Sequence, residues 1–74
     1  MNEHEIIRRV VIRKITMPEK GEVFQITFCK EKDIFTRYKT IEEIEVYLNY
    51  MPETIEDMEY LIKKEWNSGH KMEC

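Results

Sequence analysis

The side chains best suited to catalysis or metal binding are two histidines and two cysteines, and their spacing argues against both roles. His4 and His70 lie near opposite ends of the 74-residue chain, and Cys29 and Cys74 have no Cys-x-x-Cys partner. A metal site needs several such ligands at fixed spacing. Cys29 falls in a strand-like run with no predictable base beside it, and a nucleophilic thiol requires one. We therefore predict no metal, no cofactor and two reduced thiols.

Two pairs of adjacent carboxylates, Glu42–Glu43 and Glu56–Asp57, are the remaining candidates for acid–base chemistry. Such chemistry needs a cleft that drives the two pKa values apart. These pairs instead fall in the first turns of predicted helices, where negative charge suits the helix dipole. Gly21 and Gly69 are too far apart to build a phosphate-binding loop. The sequence therefore predicts that the protein is not an enzyme.

Charge is distributed unevenly along the chain. Residues 1–39 carry nine Lys/Arg against six Asp/Glu, whereas residues 40–74 carry three against nine. From Thr40 to Ile62 there is no Lys or Arg at all, and the carboxylates there are Glu42, Glu43, Glu45, Glu53, Glu56, Asp57 and Glu59. One interpretation is a solvated surface. The other is that rows of carboxylates imitate the phosphates of a nucleic acid and occupy the basic groove of a nucleic-acid-binding protein.

The basic first half allows a second interpretation. If the strand registers match, one sheet face combines cations with an aromatic ring, and its members are Arg9, Arg13, Phe35, Arg37 and Lys39. Such a face resembles single-strand nucleic-acid binding surfaces in its chemistry. The alternative is a partly apolar face that is covered by a second copy of the chain, through sheet packing or edge strands. We rank the homodimer above nucleic-acid binding.

The acidic run coincides with two predicted helices. In Thr40–Met51, Thr40 and Glu43 have the spacing of a capping box, and Pro52 ends the helix. Its apolar stripe is Ile41, Ile44, Leu48 and Met51. The second helix begins at Thr54 and ends near Gly69, with a stripe of Ile55, Met58, Leu61, Ile62 and Trp66.

Three strands are predicted before the helices. Ile6–Met17 is rich in β-branched residues, Glu22–Cys29 alternates apolar and polar residues, and Ile34–Lys39 is a shorter strand. Short reversals join them, so we expect a three-stranded antiparallel meander. Two α-helices then pack on one of its faces, which gives an α+β fold of the order β-β-β-α-α.

A single domain over residues 1–74 is expected, with residues 1–5 and 70–74 frayed. No run of apolar residues is long enough to span a bilayer, and no export signal is recognisable, so the expected location is the cytoplasm. Small, charged chains without catalytic residues are similar in general character to accessory proteins of phages and mobile elements. The favoured function is therefore a non-enzymatic inhibitor that binds a basic partner protein.

Overall fold

Three antiparallel strands and then two helices follow one another in the computed structural model, which describes residues 5–72. This confirms the predicted α+β fold and its β-β-β-α-α order. The strands are β1 (Arg9–Met17), β2 (Gly21–Cys29) and β3 (Ile34–Lys39), and the helices are α1 (Ile41–Leu48) and α2 (Ile55–Asn67). The sheet order is β1-β2-β3, so β1 and β3 are its two edges.

The inner face of the sheet carries the core. Phe24, Ile26 and Phe28 of β2 are buried on this face, as their alternation predicts. Val10 and Ile12 of β1 lie opposite Phe28 and Ile26, and residues directly opposite in an antiparallel pair share a face. The helices cover this face with side chains that include Ile44, Leu48, Met58, Ile62 and Trp66.

The first helix ends earlier than the sequence predicts. It stops at Leu48, because Asn49 adopts a left-handed conformation with φ of 70°. Asparagine tolerates this conformation better than most residues and commonly terminates helices. The change of direction comes three residues before Pro52, so the proline does not end the helix. Ile41, at the first position of the helix, is exposed, whereas Tyr47 is buried beside Ile44 and Leu48 in the helix.

The segment before β1 is held by α2 instead of extending the strand. The side-chain amide of Asn67 accepts a hydrogen bond from the Ile7 N–H at 2.9 Å and donates one to the Ile7 C=O at 3.1 Å. Ile7 itself is fully buried. The predicted strand from Ile6 therefore begins only at Arg9.

The end of the chain is docked as far as the structure describes it. The His70 ring lies 4.4 Å from the Tyr47 ring, and Met72 is buried. Residues 70–72 belong to a stretch that was expected to fray, and His70 and Met72 contact the rest of the fold. The frayed ends expected at residues 1–4 and 73–74 lie outside the described residues, as do His4 and Cys74.

Candidate functional site

The first three carboxylates of the acidic run lie on α1 and perform different tasks. Glu43 completes the predicted capping box: its carboxylate accepts the Thr40 N–H at 2.9 Å, and the Thr40 hydroxyl accepts the Glu43 N–H at 3.2 Å. The hydrogen bond from the Thr40 backbone holds the pKa of Glu43 below its ordinary value. Glu42 and Glu45 are exposed and cap nothing among residues 5–72. They are therefore available to a partner.

Of the other four carboxylates, one lies just before α2 and three lie in its first five residues. Glu53, Glu56 and Asp57 are exposed. Glu59 is half-buried, and its carboxylate accepts the Ile12 N–H of the edge strand β1 at 2.8 Å. Glu59 is therefore used to hold the helix to the sheet, which sequence spacing alone does not reveal.

No cation neutralises these seven carboxylates by direct contact within residues 5–72. The ion pairs of this part of the chain join other residues: Arg8 to Glu31, Lys14 to Glu22, Lys30 to Glu5, and His70 to Glu65. The negative charge of residues 40–62, which we call the acidic hairpin, is therefore not neutralised by an ion pair within the described residues, and six of its seven carboxylates are exposed.

The seven carboxylates nevertheless do not form one face. Glu42 and Glu43 line an open groove of about 480 Å³ between α1 and the docked end of the chain, together with Lys39 and Lys71. A second groove, of about 290 Å³, is lined by Glu56 and Glu59 beside Arg8, Arg9 and Lys63. Glu45, Glu53 and Asp57 line neither groove. The carboxylates are thus divided between two grooves and an exposed remainder, and cations line both grooves.

The predicted basic sheet face was wrong in its register. Phe35 lies opposite Phe28, Arg37 opposite Ile26 and Lys39 opposite Phe24, which places all three on the inner face. The physical reason is packing. The Phe35 ring stacks on Phe28 at 4.9 Å and lies 5.4 Å from Trp66, so this ring completes the aromatic core instead of facing solvent.

Arg37 and Lys39, the two basic residues of the predicted face that belong to β3, lie on the inner face with Phe35. The Arg37 guanidinium lies over the Phe35 ring at 5.0 Å, and its Nε is buried without a hydrogen-bond partner within residues 5–72. Lys39 is only 8% exposed. These two side chains therefore do not form an exposed surface that could bind phosphate.

Arg9 and Arg13 remain on the open sheet face, where both are exposed. The register places Arg13, Gln25 and Tyr38 in one row across the three strands, and the Gln25 amide donates to the Tyr38 hydroxyl at 3.3 Å. Cys29 is half-exposed on the same face, opposite Arg9. The open face thus combines two cations, an amide and one exposed aromatic ring.

Sequence reasoning missed a polar cluster that closes the first groove. The Tyr47 hydroxyl donates to the His70 C=O, and the His70 Nδ1 lies 2.8 Å from a Glu65 oxygen. Burial, with a smaller effect of Glu65, raises the pKa of Tyr47 to about 12. The only available signal was that Tyr47 follows Ile44 by three residues, on the buried side of a helix.

Within residues 5–72, no three His, Cys, Asp or Glu side chains are grouped so that they could hold a metal ion. No helix among these residues has both the length and the apolar character needed to cross a membrane. Comparison with known proteins found no family model, no curated protein and no solved structure that matches this chain.

Proposed function

We propose that this chain is a non-enzymatic protein-binding module whose acidic hairpin inhibits a nucleic-acid-handling protein by imitating nucleic acid. The observation that best supports this proposal is that six of the seven carboxylates are exposed and that none of the seven is ion-paired within residues 5–72. Unpaired carboxylates on a rigid helical scaffold attract a basic groove and steer its approach. An accessory protein of a phage or mobile element is the type of protein that acts in this way.

Exposed apolar side chains support a protein partner over a purely solvated surface. Val46 and Tyr60 lie on the outward sides of α1 and α2 and are 78% and 64% exposed, and Tyr50 between the helices is 53% exposed. Helical periodicity places Glu42 beside Val46 and Glu56 beside Tyr60, four residues apart. Protein interfaces combine large side chains of this kind with a polar rim.

The test is affinity capture from the cells in which the chain is native, followed by competition with duplex DNA. The proposal expects a captured basic protein that duplex DNA displaces, because both ligands occupy one groove. The triple variant Glu42→Lys, Glu45→Lys and Glu56→Lys should lose this protein. These three positions are suitable because none of them holds a backbone N–H among the described residues.

The control carries the same change of charge elsewhere, at Glu19→Lys, Glu22→Lys and Glu31→Lys. Glu22 and Glu31 also lose their ion pairs with Lys14 and Arg8 in this control, which should nevertheless retain the captured protein. Capture that survives the hairpin variant, or that duplex DNA does not disturb, would reject the proposal. Failure to capture any DNA-displaceable protein would also count against it.

The open sheet face supports a second candidate function, binding of single-stranded nucleic acid. Its basis is the row of Arg13, Gln25 and Tyr38 with Arg9 beside it, which offers phosphate contacts and one stacking ring. A gel shift with single-stranded oligonucleotides at low salt tests this candidate. It expects binding that weakens with added salt and with Arg9→Ala and Arg13→Ala together, and the absence of any shift would reject it.

A further inference from the structure

The two edges of the sheet are treated differently by the rest of the chain. At the β1 edge, the Glu59 carboxylate accepts the Ile12 N–H, and the Asn67 amide pairs with both backbone groups of Ile7 just before the strand. Side chains of α2 therefore occupy the N–H of Ile12 and both backbone groups of Ile7, with which another strand would otherwise pair. Native proteins often protect edge strands by covering them in this way.

The β3 edge has no such cover among the described residues. The Lys30 N–H donates to the Asp33 C=O at 2.8 Å, and hydrogen-bonded pairs alternate along an antiparallel ladder. It follows that Phe35, Arg37 and Lys39 bond to β2, whereas the N–H groups of Ile34, Thr36 and Tyr38 point away from the sheet. The Asp33 side chain accepts the Ile34 N–H at 3.0 Å. Within residues 5–72, no group accepts those of Thr36 and Tyr38.

The same edge exposes apolar surface. Among the strands, the exposed large apolar side chains are Ile34, at 66%, and Tyr38, at 42%, and both belong to β3. They lie on the open sheet face, four residues apart. An edge that combines unpaired N–H groups with exposed apolar side chains is a template for adding a strand.

The sequence of β3 is complementary to itself in one register. With Thr36 opposite Thr36 of a second, antiparallel copy, Ile34 faces Tyr38 of that copy and Phe35 faces its Arg37. Each copy then donates the N–H groups of Thr36 and Tyr38 to the backbone of the other copy, while the Ile34 N–H keeps its bond to the Asp33 side chain. The guanidinium–ring contact between Arg37 and Phe35 already exists within one chain, so this pairing extends it across the edge.

Neighbouring registers are poorer. A shift of one residue would place inner-face residues opposite outer-face residues. A shift that pairs Thr36 with Tyr38 would place Arg37 against Arg37, and like charges directly opposite are destabilising. A shift in the other direction pairs Thr36 with Ile34 and leaves Tyr38 beyond the end of the partner strand.

We propose that β3 is the docking edge for a second copy of this chain, with Thr36 opposite Thr36 in one continuous sheet across the dimer. The docking partner is a second copy of the chain because, in this register, the side chains and charges of β3 complement those of another β3 strand. The dimer does not depend on what the acidic hairpin binds, so its failure would leave the proposed function standing.

The first test is sedimentation analysis of three chains over a range of concentrations. Thr36→Pro removes an N–H that the protomer does not use, and proline is tolerated on edge strands. Thr16→Pro is the matched control, because the Ile12–Glu59 bond shows that even-numbered N–H groups of β1 also point away from β2. Wild type and Thr16→Pro should be dimers and Thr36→Pro a folded monomer. A monomeric wild type, or an unchanged dimer in Thr36→Pro, would overturn the proposal.

The second test does not depend on the folding of a proline variant. Thr36→Cys is placed in a chain whose own cysteines are changed by Cys29→Ser and Cys74→Ser, and the protein is oxidised. Hydrogen-bonded pairs have Cα atoms about 5.5 Å apart, which suits a disulfide. A covalent dimer should form at Thr36→Cys and not at the control Arg13→Cys on the same sheet face. Equal cross-linking at both positions would contradict the proposed register.

Discussion

The Glu59 carboxylate and the Ile12 backbone N–H are joined by a hydrogen bond of 2.8 Å. This contact links the acidic hairpin to the edge of the sheet, across 47 residues of chain. It removes one carboxylate from the surface that a partner can use, and it gives that carboxylate a structural role. The acidic run therefore serves folding as well as the recognition role that we propose for it.

Removal of this carboxylate should destabilise the protein. We expect Glu59→Ala to lower the free energy of unfolding by about 1–2 kcal/mol, because a half-buried N–H loses a charged acceptor. Glu56→Ala, one turn earlier on the exposed side of the same helix, should have less than half of that effect. Urea denaturation of both variants measures the difference, and equal effects would show that the Glu59 contact contributes nothing.

The inward position of Phe35 gives a direct test of the β3 register. Phe35→Ala should cost roughly 2–3 kcal/mol, somewhat below the value for a fully buried phenylalanine, because the ring stacks on Phe28 and approaches Trp66. Tyr38→Ala, on the open face, should cost less than about 1 kcal/mol when stability is measured at low protein concentration. The reverse order of costs would mean that the register is shifted by one residue.

The capping box of α1 predicts that the stability of the fold depends on pH in the acidic range. The pKa of Glu43 is lower in the folded chain than its ordinary value of 4.5, mainly because the carboxylate accepts the Thr40 N–H. Its contribution to stability is therefore present above that ordinary value and is lost as the pH falls through the lowered one. Thermal melts should show Glu43→Gln to be less stable than wild type at neutral pH, with the gap closing in acid. Glu42→Gln, without a capping bond, should show a smaller gap, and a Glu43→Gln gap that does not change with pH would contradict the assignment.

Tyr47 predicts a loss of stability at the alkaline end. Its pKa is raised from 10.0 to about 12, so the folded chain holds the phenol proton more tightly than the unfolded chain does. The stabilisation is complete below pH 10.0 and is lost as the pH rises towards about 12. Stability measured over this range should fall more steeply in wild type than in Tyr47→Phe, which has no proton to lose. Parallel curves would show that Tyr47 does not titrate with unfolding.

Much of the fold follows from local sequence patterns. The alternation around Phe24, Ile26 and Phe28 and the Thr40–Glu43 capping box each predict an element that the structure contains. These signals depend on neighbouring residues, so no knowledge of tertiary packing is needed. The order β-β-β-α-α then follows from their sequence.

The errors have two different origins. The register of β3 could in principle be predicted from the sequence. Counting outwards by equal numbers of residues from the four-residue reversal at residues 30–33 pairs Cys29 with Ile34 and Phe28 with Phe35. By this count Phe35 shares the inner face with Phe28. The roles of Glu59 and Asn67 had no comparable signal, because each of these side chains bonds to backbone more than 40 residues away.

The charge of the candidate surface could be predicted from the sequence, but its shape could not. The absence of Lys and Arg from residues 40–62 is a property of the sequence. Its division into two grooves and an exposed remainder depends on how α1 and α2 are placed against the sheet, which no local pattern encodes. For the same reason, Lys39 was expected at the surface and is instead nearly buried.

The most direct test of the central claim is the dissociation constant of the captured partner for the wild type and for the two triple charge-reversal variants. If the acidic hairpin is the binding surface, Glu42→Lys, Glu45→Lys and Glu56→Lys together should weaken binding by about tenfold or more, and added salt should weaken the wild type as well. The control at Glu19, Glu22 and Glu31 should remain within about threefold of the wild type. Equal losses in the two variants, or no loss in the hairpin variant, would contradict the claim that this protein acts through the carboxylates of its paired helices.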